Sequence, residues 1–228
     1  MTKKTLPPPT WVASKTALKN MLSALEEEAS IAVDTESNSL HAYQEQVCLI
    51  QFSTSEKDYL LDPFALPDLS DLAPFFANPD IEKIFHAAEY DLICLQRDFG
   101  FQFANIFDTM IAARILGYQA VGLGKLLDSK FDVQVDKKYQ KANWGKRPLT
   151  EEMLNYARLD THYLIALRKI LKKDLKDKNR WELAQEDFEM ATYVNGMSER
   201  QQLPLWERVG GRAKLAPREA TVLNEICL

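Results

Sequence analysis

The chain has 228 residues, of which 46% are hydrophobic and 27% are charged, and its formal net charge is −5. That length and apolar content suffice for a folded core, and they exclude a disordered or collagen-like chain. Because the unbroken apolar runs are only a few residues long, we expect neither a membrane-spanning segment nor a secretory signal. The three cysteines lack the spacing of a metal site and favour a reduced, cytoplasmic setting.

The predicted elements are short strands followed by strands and helices in alternation, after an N-terminal arm over residues 1–20. Apolar runs predict four strands, over residues 31–34, 47–53, 59–61 and 82–85. Helical periodicity predicts four helices, over residues 68–76, 87–99, 109–116 and 151–171. This order predicts an α/β or α+β domain with a mixed sheet over residues 21–195. A linker and the beginning of another helical unit are expected over residues 196–228.

Charge is distributed unevenly along the chain. Residues 1–136 carry 10 basic and 20 acidic side chains, whereas residues 137–180 carry 13 basic and 5 acidic ones. The acidic total argues against a nucleic-acid partner, and a basic segment is often only a solvated helix face. The alternative is that residues 137–180 form a surface for a polyanion, beside an acidic region that binds cations.

Two carboxylates lie at the end of the first predicted strand. Asp34 and Glu36 are two residues apart, so on an extended chain both side chains point to the same side. Two such acids repel each other unless a proton or a cation lies between them. The pair is therefore a candidate cation site, with an ordinary exposed strand end as the alternative.

Two further acids lie on or beside the apolar faces of predicted helices. Asp91 borders the inward face of the helix over residues 87–99, and Asp160 interrupts the apolar stripe of the helix over residues 151–171. Because an unpaired buried carboxylate is costly, Asp160 must meet either a metal ion or an Arg or Lys side chain. Tyr156 lies four residues earlier on the same face, within reach of whatever Asp160 holds.

These four acids, without a matching His or Cys cluster, have the character of ligands for hard cations. All-oxygen sites favour Mg²⁺ or Mn²⁺ over Zn²⁺. Two such ions close together can activate water and stabilise both the attacking and the leaving oxygen of a phosphodiester. The basic segment 137–180 would then bind the phosphate backbone.

Three motifs, in order along the chain, carry a family resemblance. They are Asp34-Thr-Glu36, His86-Ala-Ala-Glu-Tyr-Asp91 and Tyr156-Ala-Arg-Leu-Asp160. They resemble the three exonuclease motifs of the DEDD superfamily, and the third is similar to the form found in its tyrosine subgroup. The segment 136–149, which leads into the third motif, resembles ribonuclease D and its eukaryotic exosome-associated relatives. The segment from Leu203 onward resembles the start of an HRDC domain, a helical nucleic-acid-binding module.

The resemblance implies a fold, a cofactor and a reaction. The implied fold is ribonuclease H-like, a mixed sheet flanked by helices, with a helical C-terminal extension. The resemblance implies that Asp34, Glu36, Asp91 and Asp160 bind two divalent cations, Mg²⁺ or Mn²⁺, and that Tyr156 orients the attacking water. The implied reaction is 3′ to 5′ hydrolysis at the single-stranded 3′ end of RNA, such as a tRNA precursor, with release of nucleoside 5′-monophosphates.

By analogy, the terminal-nucleotide pocket is expected just beyond the first motif. Leu40, His41 and Tyr43 would line it, because an apolar side chain can wedge against a base and an imidazole or phenol can reach a ribose hydroxyl. Ordinary loop packing is the alternative for these three residues. His86 is a further candidate for substrate binding, since it stands where proofreading exonucleases usually have Asn.

Other substrate contacts are expected from the basic segment. The candidates for backbone contacts are Lys137, Lys138, Lys141, Lys146 and Arg147. Trp144 could stack on a base or, alternatively, pack under the helix that follows. Two alternative functions are the same chemistry on DNA, and a catalytically inactive nucleic-acid-binding module of the same fold. The inactive module would have lost one of the four acids, and all four are present.

Overall fold

A mixed sheet of six strands forms the centre of the fold. The computed structural model describes residues 6–193, together with 216, 218–219 and 221–222. The strands are β1 (Thr10–Val12), β2 (Ser30–Ser37), β3 (Val47–Ser53), β4 (Asp58–Leu61), β5 (Glu82–Phe85) and β6 (Ile106–Asp108). They lie in the order β1-β4-β3-β2-β5-β6. Strand β2 is antiparallel to β3 and parallel to β5, so it lies in the interior of the sheet.

Helices cover both faces of this sheet in the described part of the chain. They are α1 (Lys15–Glu26), α2 (Ala73–Ala77), α3 (Glu89–Phe99), α4 (Thr109–Ile115), α5 (Leu123–Phe131), α6 (Glu151–His162), α7 (Leu164–Asp177) and α8 (Trp181–Thr192). The predicted α/β class, a mixed sheet flanked by helices, is confirmed. None of the described helices is both long enough and apolar enough to cross a lipid bilayer.

Alternation along the central strands separates the interior into distinct cores. Ile31 and Val33 belong to a cluster with side chains from α1, α2 and α3, whereas Ala32 belongs to a cluster with α4, α7 and α8. A third cluster joins β3 to α6 through Leu49 and Ala157. Helices α6 and α7 therefore cover the face opposite to α1, α2 and α3.

The predicted N-terminal arm needs a correction. Strand β1 pairs with β4, and α1 begins after Ser14, whose hydroxyl accepts a hydrogen bond from the amide of Ala17. Val12 and Leu18 are buried in the core. Residues from Thr10 onward are thus an integral part of the domain, because even a three-residue strand is fixed once its neighbours supply hydrogen bonds.

The predicted long helix over residues 151–171 is two helices. Helix α6 ends at His162 and α7 begins at Leu164. The Thr161 hydroxyl donates to the carbonyl of Arg158, three residues earlier, at 3.3 Å, and such back-bonding commonly bends a helix. The bend lets α6 pack on β3 and β2 while α7 packs on β5 and α4.

The other differences concern short elements. The predicted helix over residues 68–76 is a 3-10 turn (Ser70–Leu72) followed by α2. Strand β6 and helices α1 and α8 were not predicted. The three residues of β6 are too few to show a periodicity. The predicted linker and helical unit over residues 196–228 lie outside the described residues, apart from the five named above.

Candidate active site

Strand β2 delivers the first two carboxylates. Asp34 and Glu36 share the face of Ala32, so they point toward the side covered by α6 and α7, whereas Thr35 points toward α3. The register between β2 and β3 shifts at Glu36 and Ser37, at the carboxyl end of β2. Both acids are half-buried there. They point to the same side of the strand, as their two-residue spacing predicted.

Helix α6 brings a third carboxylate to the same place. Ligand oxygens of Asp34, Glu36 and Asp160 all lie within 4.8 Å of one another. Helix α6 is fixed at its N-terminus by Thr150, whose hydroxyl accepts from the amide of Met153 at 3.3 Å. These three acids, far apart in sequence, therefore form one compact set of oxygen ligands.

Asp91 lies beside this trio rather than within it. It occupies the first turn of α3 and is 7% exposed. Its Oδ1 accepts a hydrogen bond from the hydroxyl of Thr35 at 2.5 Å. Thr35 lies between Asp34 and Glu36 in sequence, and its side chain points to the opposite face of β2. From that face its hydroxyl orients Asp91.

The electrostatics of the four carboxyl groups favour a bound cation. Burial raises the pKa of Asp34 and of Glu36, and the charges of the neighbouring acids raise it further. Burial also raises the pKa of Asp91 and of Asp160 to about 7, and for Asp160 the charge of Asp91 contributes. Among the described residues, none of the four is in an ion pair with Lys, Arg or His.

Asp160 has no Arg or Lys partner among the described residues. The nearest arginine in sequence, Arg158, is buried and pairs with Asp58 instead. An all-oxygen donor set with no protein cation fits Mg²⁺ or Mn²⁺. The residues present thus fit the group of ions that the resemblance implies.

Tyr156 is held against the site by two aromatic rings. Its ring lies 5.9 Å from that of Tyr139 and 6.1 Å from that of Trp144, centroid to centroid. Burial and the charge of Asp160 raise the pKa of the Tyr156 phenol. The phenol therefore stays protonated and can both donate and accept a hydrogen bond beside the carboxylates.

The loop over residues 38–46, between β2 and β3, carries the predicted pocket residues. Leu40 is 68% and Tyr43 is 64% exposed, so the loop presents large side chains to solvent beside the acids. His41 is also exposed, and its Nε2 lies 3.1 Å from the carbonyl oxygen of Lys141. The loop thus contacts the basic segment that precedes α6.

The predicted contacts of the basic segment divide into two groups. Lys137 and Lys138 are exposed. Arg147 is bound to Asp62 at 2.6 Å, and it also donates to the carbonyls of Cys48 and Trp144. Its guanidinium is thus occupied by acceptors within the protein.

Two of the predicted substrate contacts, one buried and one half-buried, have partners within the protein. Trp144 is only 1% exposed, so the expectation that a base stacks on it is wrong, and the ring packs under α6 instead. His86 Nδ1 is 2.9 Å from the hydroxyl of Thr109, and burial lowers its pKa to about 4. The imidazole is therefore neutral at physiological pH.

Sequence reasoning missed a buried polar network behind α6. Asp58 on β4 pairs with Arg158 and lies 3.0 Å from His162 Nδ1. It also accepts from the Ser53 hydroxyl at 2.7 Å, and Ser53 in turn contacts the Thr161 hydroxyl at 2.7 Å. The polar residues on the inner side of α6 were the available signal, although their partners are about a hundred positions away.

The sequence predicts that Asp108 caps the helix that follows it, but it does not show that the same carboxylate has further partners. It caps α4 by accepting from Met110 and Ile111, and it also accepts from the amides of Ala87 and Ala88 at 3.1 and 2.7 Å. One side chain thereby fixes both α4 and the turn from which α3 carries Asp91 into the site.

The fold and the four-carboxylate site are those of a nuclease of the 3′–5′ exonuclease class. A 3′–5′ exonuclease family matches residues 9–176, and the chain belongs to this family. Protein RRP6-like 3 of Arabidopsis thaliana is 42% identical over 178 residues, which cover 78% of this chain and 19% of that protein. The exosome complex exonuclease RRP6 of Saccharomyces cerevisiae is 41% identical over 173 residues, which cover 75% of this chain and 24% of that protein.

Solved structures agree with this assignment. The catalytic core of RRP6 from Trypanosoma brucei superposes with a TM-score of 0.80 at 31% identity, covering 99% of this chain and 64% of that one. Escherichia coli RNase D shares the fold, with a TM-score of 0.79 at 24% identity, covering 97% of this chain and 59% of that one. The chain spans about a fifth to a quarter of the length of the two curated relatives described above.

Proposed function

We propose that this chain is a 3′–5′ exoribonuclease, which hydrolyses 3′-terminal phosphodiesters and releases nucleoside 5′-monophosphates. The observation that carries the proposal is the convergence of Asp34, Glu36 and Asp160 within 4.8 Å, with Asp91 beside them and no protein cation among the described residues. Such a cluster is unfavourable by itself, so it is built for a ligand of opposite charge.

The proposed ligands are two divalent cations, Mg²⁺ or Mn²⁺. Asp34, Glu36, Asp91 and Asp160 would hold them. When bound, such ions supply a lowered pKa for water and positive charge beside the attacking and leaving oxygens. The four carboxylates keep these charges fixed relative to β2, α3 and α6, so that no side-chain nucleophile is needed.

Tyr156 is proposed to orient the attacking water. Its phenol is protonated, is one helical turn from Asp160, and is braced by the rings of Tyr139 and Trp144. A hydrogen bond between the phenol and the water would hold a lone pair of the water toward the phosphorus. The rigid aromatic contacts support this role because they limit the motion of the phenol.

RNA is the proposed substrate, because the RRP6 proteins are relatives of more than 40% identity and one is named an exosome complex exonuclease. We propose that a single-stranded 3′ end of tRNA or another structured RNA enters beside the loop over residues 38–46. Leu40, His41 and Tyr43 would contact the terminal nucleotide. Lys137 and Lys138, exposed on the neighbouring segment, would contact phosphates further along the strand.

A cytoplasmic location is proposed from the reduced cysteines alone.

The proposal is tested with a 5′-labelled single-stranded RNA in Mg²⁺. We expect progressive shortening from the 3′ end, release of 5′-monophosphates, and loss of activity in EDTA. Asp34→Asn should abolish shortening, whereas Asp187→Asn, a change at an exposed acid on α8, should not. Shortening by Asp34→Asn at the unaltered rate would refute the site. Equal rates on RNA and on DNA of matched sequence would refute the preference for RNA.

A further inference from the structure

One fully buried amide in the middle of β3 has no hydrogen-bond partner in the part of the chain that the structure describes. Gln51 is 0% exposed, and among those residues neither its Nε2 nor its Oε1 has a partner. Leaving a buried amide unpaired costs on the order of 1–3 kcal/mol. Buried polar groups in folded proteins are nearly always satisfied, so this amide points to a group that binds beside it.

The register of the sheet places Gln51 next to the carboxylates. Gln51 is directly opposite Asp34 in the antiparallel pair of β2 and β3. Directly opposed residues in such a pair project to the same face, with Cβ atoms roughly 4.5–5.5 Å apart. The amide therefore lies on the face of the sheet toward which Asp34 and Glu36 point.

The contacts of its neighbours on β3 place Gln51 opposite the middle of α6. Leu49, two residues earlier on the same face, belongs to the cluster that includes Ala157. Ser53, two residues later, is 2.7 Å from the hydroxyl of Thr161. Gln51 lies between them, and thus faces the stretch of α6 that carries Asp160. Gln51 is accordingly between the strand that carries Asp34 and the helix that carries Asp160.

The chemistry of an amide suits this position. The surrounding acids accept hydrogen bonds when ionised, and water bound to a cation donates them. An amide offers both a donor and an acceptor without adding a charge to an already acidic site. A lysine here would compete with the cation, and a further carboxylate would add repulsion.

We propose that Gln51 is a positioning residue of the carboxylate site: its amide forms hydrogen bonds with water that the bound cation carries, and its Oε1 is the acceptor for such a water. This inference rests on the proposed function, since it concerns the same site. Groups in this position orient the ligands of a metal, and their removal typically weakens metal affinity or activity by about 10–100-fold.

The first test compares Gln51→Met with Gln96→Met in the full chain. Gln96, on α3, is the matched control because its Oε1 is also buried and unpartnered, but it lies five residues beyond Asp91. Methionine has similar length and no polar group, so each variant removes only the amide. Mn²⁺ affinity is measured by electron paramagnetic resonance, and steady-state rates are measured on an RNA oligonucleotide.

We expect Gln51→Met to bind Mn²⁺ about 10-fold more weakly and to lower kcat with little change in KM. In EDTA its melting temperature should equal or exceed that of the unaltered chain, because an unpaired amide has been removed. Gln96→Met should leave both Mn²⁺ affinity and kcat unchanged. Unchanged Mn²⁺ affinity in Gln51→Met would overturn the proposal.

A second measurement needs no substitution. In the unaltered chain with ¹⁵N-labelled glutamine, titration with Mg²⁺ should shift the side-chain amide resonances of Gln51 and leave those of Gln96 in place. An unshifted Gln51 amide at saturating Mg²⁺ would overturn the proposal even if Gln51→Met failed to fold. If the unaltered chain bound no Mn²⁺ at all, the proposed function would fail as well. If it bound Mn²⁺ and Gln51→Met bound it equally, only the role of Gln51 would fail.

Discussion

Asp58 on β4 and Arg158 on α6 form an ion pair whose side chains are 4% and 3% exposed, respectively. Arg158 is two residues from Tyr156 and two from Asp160, so this pair anchors the segment of α6 that supplies the site. Arg158 also donates to the carbonyl of Pro7 at 2.5 Å, which ties the N-terminal segment to the same point. A buried pair of this kind is sensitive to the loss of one partner, because the other charge is left without compensation.

We expect Arg158→Ala to lower the free energy of unfolding by about 3 kcal/mol, because Asp58 then keeps only His162 and Ser53 as partners. Lys173→Ala breaks an exposed i, i+4 pair with Asp177 and should cost less than about 0.5 kcal/mol. Urea denaturation of the two variants measures the difference. Equal losses in the two variants would contradict the anchoring role of Arg158.

Asp58 also gives the stability of the protein a dependence on pH. Burial alone would raise its pKa, but hydrogen bonds from His162 and Ser53 and the charge of Arg158 outweigh it and lower the pKa below the ordinary 3.8. A lowered pKa contributes stability that is present above the unfolded value and is lost as the pH falls through the folded value. We therefore expect the unfolding free energy of Asp58→Asn to depend less on pH than that of the unaltered chain below about pH 5. Parallel curves would contradict this expectation.

When no metal is bound, the carboxylate site should make the folded chain less stable as the pH rises. Burial and the charge of Asp91 raise the pKa of Asp160 to about 7, so its ionisation destabilises the folded chain. The penalty is absent below the unfolded pKa and is complete above about pH 7. In EDTA at pH 8, Asp160→Asn should be more stable than the unaltered chain by roughly 2–4 kcal/mol, although on the proposed function it should lack activity.

Thermal unfolding in EDTA at pH 4 and at pH 8 measures this effect. The advantage of Asp160→Asn should shrink toward pH 4, and Mg²⁺ should raise the melting temperature of the unaltered chain more than that of the variant. An equal advantage at both pH values would show that it does not come from the charge of Asp160.

The hydroxyl of Thr35 is expected to matter for catalysis more than for stability. Its bond to Asp91 lowers the pKa of a carboxyl group that burial raises, so Thr35→Val should raise that pKa above about 7. Because a cation must displace the proton from Asp91, Thr35→Val should bind Mn²⁺ about 10-fold more weakly at pH 7 and should be slower at subsaturating Mn²⁺. Thr35→Ser keeps the hydroxyl and should restore both. Unchanged Mn²⁺ affinity in Thr35→Val would refute the role of this bond.

The exposed lysines of the segment before α6 should strengthen the binding of RNA. Lys137→Ala combined with Lys138→Ala removes two proposed phosphate contacts, so KM for RNA should rise while kcat stays unchanged. The slope of log affinity against log salt should fall by about 1.4, since each contact to a single strand contributes about 0.7. Lys169→Ala combined with Lys178→Ala, at exposed positions of and just after α7, is the matched control. A similar loss of slope in the control would indicate a general charge effect.

The sequence predicted the parts of the site that depend on local periodicity. Asp34 and Glu36 share a face because strand side chains alternate, and Asp160 was recognised because it interrupts an apolar stripe. Only the family resemblance predicted that Asp91 joins the other three acids, and neither the resemblance nor the residue pattern showed its hydrogen bond from Thr35 on β2. The partners of Arg158 could not be predicted either, because Asp58 is a hundred positions away and equally plausible acids lie elsewhere.

The elements that were missed owe their structure to tertiary contacts. Strands β1 and β6 have three residues each, and pairing with β4 and β5 fixes them. The bend between α6 and α7 has no Pro or Gly to signal it. A Thr residue such as Thr161 does not by itself predict a bend, because its hydroxyl can bond to the preceding turn in other helices too. Trp144 had two predicted environments, and only the packing of β3 against α6 decided that it is buried.

The ligands of the site enter the chain far apart, with Asp34 near the start of the domain and Asp160 in a helix much later. During synthesis, β2 leaves the ribosome well before α6 exists, so the nascent chain lacks a complete set of ligands. On the proposed function, the messenger RNA and the tRNAs around the ribosome are protected from the growing chain until the domain has folded.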